Sequence, residues 1–281
     1  MPAILTSQMS SLAASSFIDM VSAGSVNLYI AVGGTTPWTD ETVPDTPTDT
    51  LTDENNFRKN IIGIKKVSVE NAMLMVPRVD WEIGMEFNTL SNSTIGPRKA
   101  LDYYCLTSNN FVYQCVSKSA SATTTQAGCE PDLMIADQTT VDGYTWKFLY
   151  NITTQMVNEG MLLDSWMPVP YGKQGVYPGG TLTEQQHSYG DVYANWTLGA
   201  FRVLLTVELK DEGEAIPYDV TFRKIGLIES PRDRSGNLLA GDTYKANEFD
   251  TNSGHLIYRE NRCPITRATG QTELLQTLLC F

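Results

Sequence analysis

Apart from its first segment, the chain is a succession of short stretches in which apolar or aromatic residues recur at every second position, separated by long polar passages. The exception is residues 7–21, where Leu12, Ala13, Phe17, Ile18 and Val21 recur at helical spacing behind serines able to cap, which predicts a short amphipathic helix. Residues 28–32 form an apolar run ended by Gly33-Gly34. Residues 61–69 alternate Ile62 and Ile64 with Gly63 and Lys65, and residues 73–81 are more continuously apolar; both read as strands, the second buried on two faces. Residues 102–107 and 111–116 are rich in aromatic and β-branched side chains and flank Ser108-Asn109-Asn110, whose short polar residues suit a tight turn. That predicts a hairpin. After a polar passage over 117–128, the Asp142-Gly143 turn leads into Tyr144, Trp146, Phe148 and Tyr150, spaced at the strand period of two. Residues 196–208 and 218–228 add two strands and residues 231–237 a turn. A polar stretch runs on to Asn261, and residues 271–279 read as a short helix with Leu274, Leu275, Leu278 and Leu279 on one side.

These elements predict a mainly β protein of antiparallel, β-sandwich-like architecture with short peripheral helices and long loops. The 281 residues suffice for one β-rich structural unit. They also admit a subdivision in which 1–100 and 200–281 form one layer system and 101–199 a central hairpin-and-loop region.

Two long passages carry the candidate interaction residues. Residues 35–56 hold Pro37, Pro44 and Pro47, which exclude a regular helix or central strand, interleaved with Thr and acidic residues. The passage reads either as a solvated loop or as an extended arm laid on a neighbouring subunit. In the second case Trp38 is its anchor, because buried aromatics dominate interfaces and proline lowers the entropy lost on docking. Asp40 and Asp45 belong to its acidic complement. The first 57 residues contain no Lys or Arg, whereas residues 223–267 hold Arg223, Lys224, Arg232, Arg234, Lys245, Arg259, Arg262 and Arg267. Complementary patches are expected, with the arm docked on a neighbouring chain or dimer mate and poorly ordered alone. The second passage, 161–187, is irregular and punctuated by Trp166, Tyr171 and Tyr177, candidates for an interface or for stacking on sugar rings.

Charge narrows the function. A net charge of −12 argues against nucleic acid as a partner, since affinity for phosphates needs concentrated Lys and Arg. No apolar run approaches the roughly 20 residues of a membrane-spanning helix, and residues 1–57 lack the basic start of a signal peptide, so a cytosolic protein without membrane insertion is expected. Five cysteines include no C-x-x-C pair, and neither histidine, His187 or His255, stands beside a nucleophile motif. No metal, cofactor or nucleotide site is expected, and no catalytic one. If Ser108–Asn110 is a three-residue loop, Cys105 faces Tyr113 and Cys115 is only its diagonal neighbour, so the two thiols are expected to be unbridged. Arg78 and Asp80 are expected to pair, with Trp81 as a lid on the core and Tyr144 and Trp146 as structural anchors.

Tyr103-Tyr104-Cys105-Leu106-Thr107, Val112-Tyr113-Gln114-Cys115 and Asp142-Gly143-Tyr144-Thr145-Trp146-Lys147-Phe148-Leu149-Tyr150 resemble the central segment of the baseplate wedge subunit of T4-like contractile-tail bacteriophages, a dimeric β-sandwich protein. Further likenesses lie in Gly33, Pro37-Trp38-Thr39-Asp40, Pro44 and Pro47, in Pro77-Arg78-Val79-Asp80-Trp81, and in Phe222-Arg223-Lys224-Ile225-Gly226-Leu227, all in the family's order. The resemblance implies a structural virion protein that forms a homodimer, joins other baseplate wedge proteins, and helps transmit the rearrangement before sheath contraction. It implies a place in the tail baseplate, reached by assembly in the host cytoplasm. The rival from another class is a carbohydrate-binding β-sandwich of a phage tail or adhesin.

Overall fold

The computed structural model describes residues 7–22, 24, 26–68, 71–89, 103–135, 137–169, 202–210 and 216–281. Along the chain run α1 (Ser7–Ser22), β1 (Leu28–Gly33), α2 (Leu51–Lys59), β2 (Ile61–Lys66), β3 (Ala72–Pro77), β4 (Tyr104–Leu106), β5 (Phe111–Lys118), β6 (Gln138–Thr139) and β7 (Tyr144–Asn151). They are followed by α3 (Thr154–Asn158), β8 (Trp166–Val169), β9 (Arg202–Leu209), β10 (Val220–Glu229), β11 (Thr243–Lys245), β12 (His255–Arg267) and β13 (Glu273–Cys280). The protein is thus mainly β, built of antiparallel sheets with a few short helices. In α1 Phe17, Ile18 and Val21 of the predicted face are buried, but Leu12 is exposed and Ala14 is buried in its place, so the apolar face is turned from the one the spacing predicts. The chain divides into two compact units, one of residues 1–15, 73–203 and 280–281 and the other of residues 16–72 and 204–279.

The second unit carries a five-stranded sheet in the order β11-β2-β1-β10-β12. Its central strand, β1, is buried along its whole length, as an apolar run between two neighbours must be. One face of this sheet packs on Phe57 of α2, and Tyr29, Ala31, Ile64, Ile228 and Phe249 share that core. Gly226 makes the approach feasible: a Cβ there would lie 2.6 Å from the Phe57 ring. In the same unit β9 and β13 are hydrogen-bonded neighbours.

Three expectations change here. Residues 51–59 are helical, whereas the passage 35–56 is expected to be a loop or extended arm to its end. The prolines stop at Pro47, and α2 is held by the Thr50 N-cap, Asp53 and Glu54 in its first turn, and Arg58 and Lys59 in its last. With Phe57 its one buried apolar side chain, it shows no apolar periodicity to read. The polar stretch before Asn261 contains β11 and the first half of β12. And the C-terminal stretch, expected to be helical over 271–279, forms the strand 273–280. Leu275, Thr277 and Leu279 are buried in alternation, so the leucine doublets follow period two once β9 lies beside them. Pro264 within β12 is tolerated because β12 is an edge strand and the register with β10 slips between Phe222↔Ile265 and Lys224↔Asn261.

The first unit carries the sheet β4-β5-β7-β6. The hairpin register places Cys105 opposite Tyr113, the pairing expected for the Ser108–Asn110 loop, with Asn110 at a φ of 60°. All five cysteines are free. Cys105, Tyr113, Cys115, Tyr144 and Trp146 pack around Phe87, whose ring meets Trp146 edge-to-face at 5.0 Å. Beside β4 the chain after β3 adds a short parallel bridge: Leu106 N–H donates to Val79 O at 2.7 Å and Trp81 N–H to Leu106 O at 2.8 Å. In the same unit β3 pairs antiparallel with β8.

Candidate functional site

Residues 34–50 lead from β1 to α2 and lie on β10 and β12 of their own unit. Trp38 Nε1 donates to the backbone oxygen of Arg262 at 2.9 Å, and Lys224 Nζ stands 5.4 Å from the centre of the Trp38 ring. Glu41 and Arg223 form a fork: Nη2 to Oε1 at 2.7 Å and Nε to Oε2 at 2.9 Å, while Nη1 of Arg223 donates to Thr35 O at 3.0 Å. Asn261 Nδ2 donates to Asp45 O at 2.6 Å. At the helix end Asp53 meets Arg259 at 3.1 Å and accepts from Thr48 N–H at 2.9 Å. Arg58, buried, pairs with Glu54 at 2.8 Å and donates to the carbonyls of Thr251, Ser253 and Gly254, fixing α2 to the loop before β12.

The electrostatics follow from these contacts. The hydrogen bonds from Arg223 hold the Glu41 carboxyl below the ordinary range and push the Arg223 guanidinium up. Asp53 is lowered first by the Thr48 N–H and then by Arg259 and Lys224. Burial lowers Arg262. The carboxylate partners stay partly open to solvent, which weakens each pair, so the arm is held by their number and by the Trp38 contact.

Part of the complementarity seen in the sequence is therefore met within one chain, by Glu41 with Arg223 and by Asp53 with Arg259 and Lys224. The arm was expected on a neighbour. It sits on its own β10 and β12 because tethering gives the intrachain contact a high effective concentration that a second molecule must match. Asp40 serves the arm's own geometry: its Oδ1 accepts from Thr42 N–H at 2.9 Å and Thr42 Oγ1 at 2.7 Å, and these bonds lower its carboxyl. Asp45 is held by its carbonyl and not by its carboxylate.

The other candidates fall in the first unit. Arg78 Nε pairs with Asp80 Oδ1 at 2.8 Å, and Trp81 packs against the Phe87 core. These residues open on a cleft of about 590 Å³ shared with Ser108, Asn110 and Glu130. Glu130 there accepts from Ser108 N–H at 2.6 Å and Ser108 Oγ at 3.0 Å, so Arg78, Asp80 and Glu130 are engaged with the cleft's own walls. Tyr144 and Trp146 are fully buried anchors. Trp166 lies in a strand, with the Arg202 guanidinium 4.1 Å over its ring. Tyr171 and Tyr177 lie outside the described residues.

Sequence reasoning passed over Leu133-Met134-Ile135, three consecutive apolar residues that are all exposed. The signal was present: they stand between Asp132 and Asp137 with no strand periodicity to claim them. Among the described residues no three His, Cys, Asp or Glu side chains gather to hold a metal ion, and no helix is long and apolar enough to cross a membrane.

A family profile described as bacteriophage T4 Gp8 matches residues 116–281, more than half of the chain. The baseplate wedge protein gp8 of Enterobacteria phage T4 is 25% identical over 302 residues, covering 90% of this chain and 89% of that protein.

Proposed function

This chain belongs to the bacteriophage T4 Gp8 family, and on that premise we propose that it is a structural subunit of a phage tail baseplate wedge, acting by protein–protein assembly rather than by catalysis. The supporting observation is the length of the likeness. The relative is alike in sequence over about nine-tenths of both chains, and its printed role is that of a wedge protein. Within this reading the chain self-associates as a homodimer, is built into the wedge in the host cytoplasm, and takes part in the baseplate rearrangement at infection. The arm on β10 and β12 fits a part that must stay ordered before assembly, because it fixes the acidic passage on the subunit's own surface. Trp38 then shapes a subunit surface, and Trp166 with Tyr171 and Tyr177 remain the proposed contacts to other chains.

Two measurements test this. Light scattering on the purified chain should give twice the 31.1 kDa chain mass at micromolar concentration. Antibody labelling of isolated tails in the electron microscope should mark the baseplate. A monomer at every concentration removes the homodimer, label confined to fibres or capsid removes the baseplate assignment, and specific binding on a glycan array would promote a carbohydrate-binding role instead.

A further inference from the structure

We propose that Leu133-Met134-Ile135 is a docking surface for an apolar recess with a basic rim on a different protein of the baseplate, an inference that rests on the functional reading above. The three side chains are 49%, 54% and 43% exposed. A run of exposed large apolar residues is unfavourable in water, and patches of a few hundred Å² on a folded surface tend to mark interaction sites.

The loop is pinned. Phe148 N–H donates to Ile135 O at 3.2 Å, and the buried Tyr113 donates its hydroxyl proton to Leu133 O at 3.2 Å. Gln138 Oε1 accepts from the N–H groups of Asp132 and Leu133 at 3.1 and 3.0 Å, while its Nε2 donates to Asp132 Oδ1 at 3.0 Å. Phe148, whose half-buried ring stands 5.7 Å from that of Phe111, packs on the Phe87 core and so ties the loop to it. A backbone fixed by core residues presents these side chains already ordered, which lowers the entropy lost on binding.

Charge selects the occupant. Asp132 and Asp137 flank the three apolar residues along the chain, and no Lys or Arg occurs between Lys118 and Lys147. A two-fold contact between copies would set those carboxylates against themselves, and the chain as a whole carries −12. A recess rimmed by Lys or Arg on a different protein matches both the apolar centre and the acidic border, and the homodimer then uses another face.

The test is hydrogen peroxide mapping of methionines by mass spectrometry, on the purified chain over a range of concentrations and on intact tails, combined with carbodiimide coupling of carboxylates to lysines in the tails. Buried Met75 and Met167 serve as unreactive controls. Met134 should oxidise readily in the purified chain at all concentrations and at least about tenfold more slowly in tails, with Asp132 or Asp137 coupled to a lysine of another protein. Protection of Met134 in the concentrated pure chain, or coupling to a second copy, would make the patch a self-contact and overturn the proposal. So would a reactive Met134 in tails, or the lack of any such coupling. Absence of the chain from tails would sink the baseplate reading itself, an outcome distinct from a chain present with Met134 reactive.

Discussion

Trp38 donates its indole N–H to the carbonyl of Arg262 at 2.9 Å across 224 residues of chain, and Lys224 covers the same ring. One side chain thereby joins the loop after β1 to the edge strand β12. That edge would otherwise offer its backbone to any extended segment nearby, a liability that folded proteins cover.

Replacing Trp38 should therefore loosen the arm. Trp38→Ala removes a hydrogen bond, a cation–π contact and partial burial, and should cost roughly 1–3 kcal/mol. Trp38→Phe should cost about 1 kcal/mol, the share of the N–H. Urea unfolding measures the cost, and faster proteolytic cleavage within 39–50 locates it. Equal cleavage in all three proteins would mean that the tryptophan does not hold the arm.

Acid should release the same segment. Glu41 and Asp53 both have carboxyls held below their ordinary range, so their contribution is fully present above about pH 5 and is lost as pH falls through the lowered values. Hydrogen exchange in residues 35–50 should be flat from pH 6 to 8, after correction for the intrinsic rate, and should rise below pH 4. Glu41→Gln and Asp53→Asn together should raise exchange at neutral pH and flatten that dependence.

Gly226→Ala should destabilise the second unit by about 1–3 kcal/mol, because the added methyl meets the Phe57 ring and Leu256. Phe57→Leu removes ring atoms from that spot and should cost less in the Gly226→Ala background than in the wild type. Thermal unfolding of the four proteins of this cycle checks the coupling, and strict additivity would place Phe57 elsewhere.

Of the five thiols, Cys263 and Cys280 are exposed while Cys105, Cys115 and Cys129 are buried, and burial pushes the Cys105 thiol well up. A thiol reagent at pH 8 should titrate two groups quickly and three only on unfolding. A Cys105–Cys115 bridge found in fresh virions would contradict the hairpin register.

Strands whose neighbours are local can be read from the order of residues alone. In the 104–118 hairpin the loop length sets which residues face each other, and in β7 the two-residue period of Tyr144 and Trp146 sets the buried face. The sequence also held the complementary charges of the arm and of residues 223–267. It did not say which molecule would carry the partner, since attraction between Glu41 and Arg223 has the same sign within a chain as between chains. Chain closure settles it within the subunit, by bringing Glu41 to Arg223 across 182 residues. It decided the C-terminal strand in the same way: leucines at 274, 275, 278 and 279 suit a helix face or a strand, and the neighbouring β9, distant in sequence, supplies the hydrogen bonds that choose. The helix α2, with a single buried apolar residue, exists because Arg58 and Phe57 are received by residues near 226 and 251–254. Local periodicity records which face of an element is apolar, whereas contacts made by chain closure depend on partners that no local window contains.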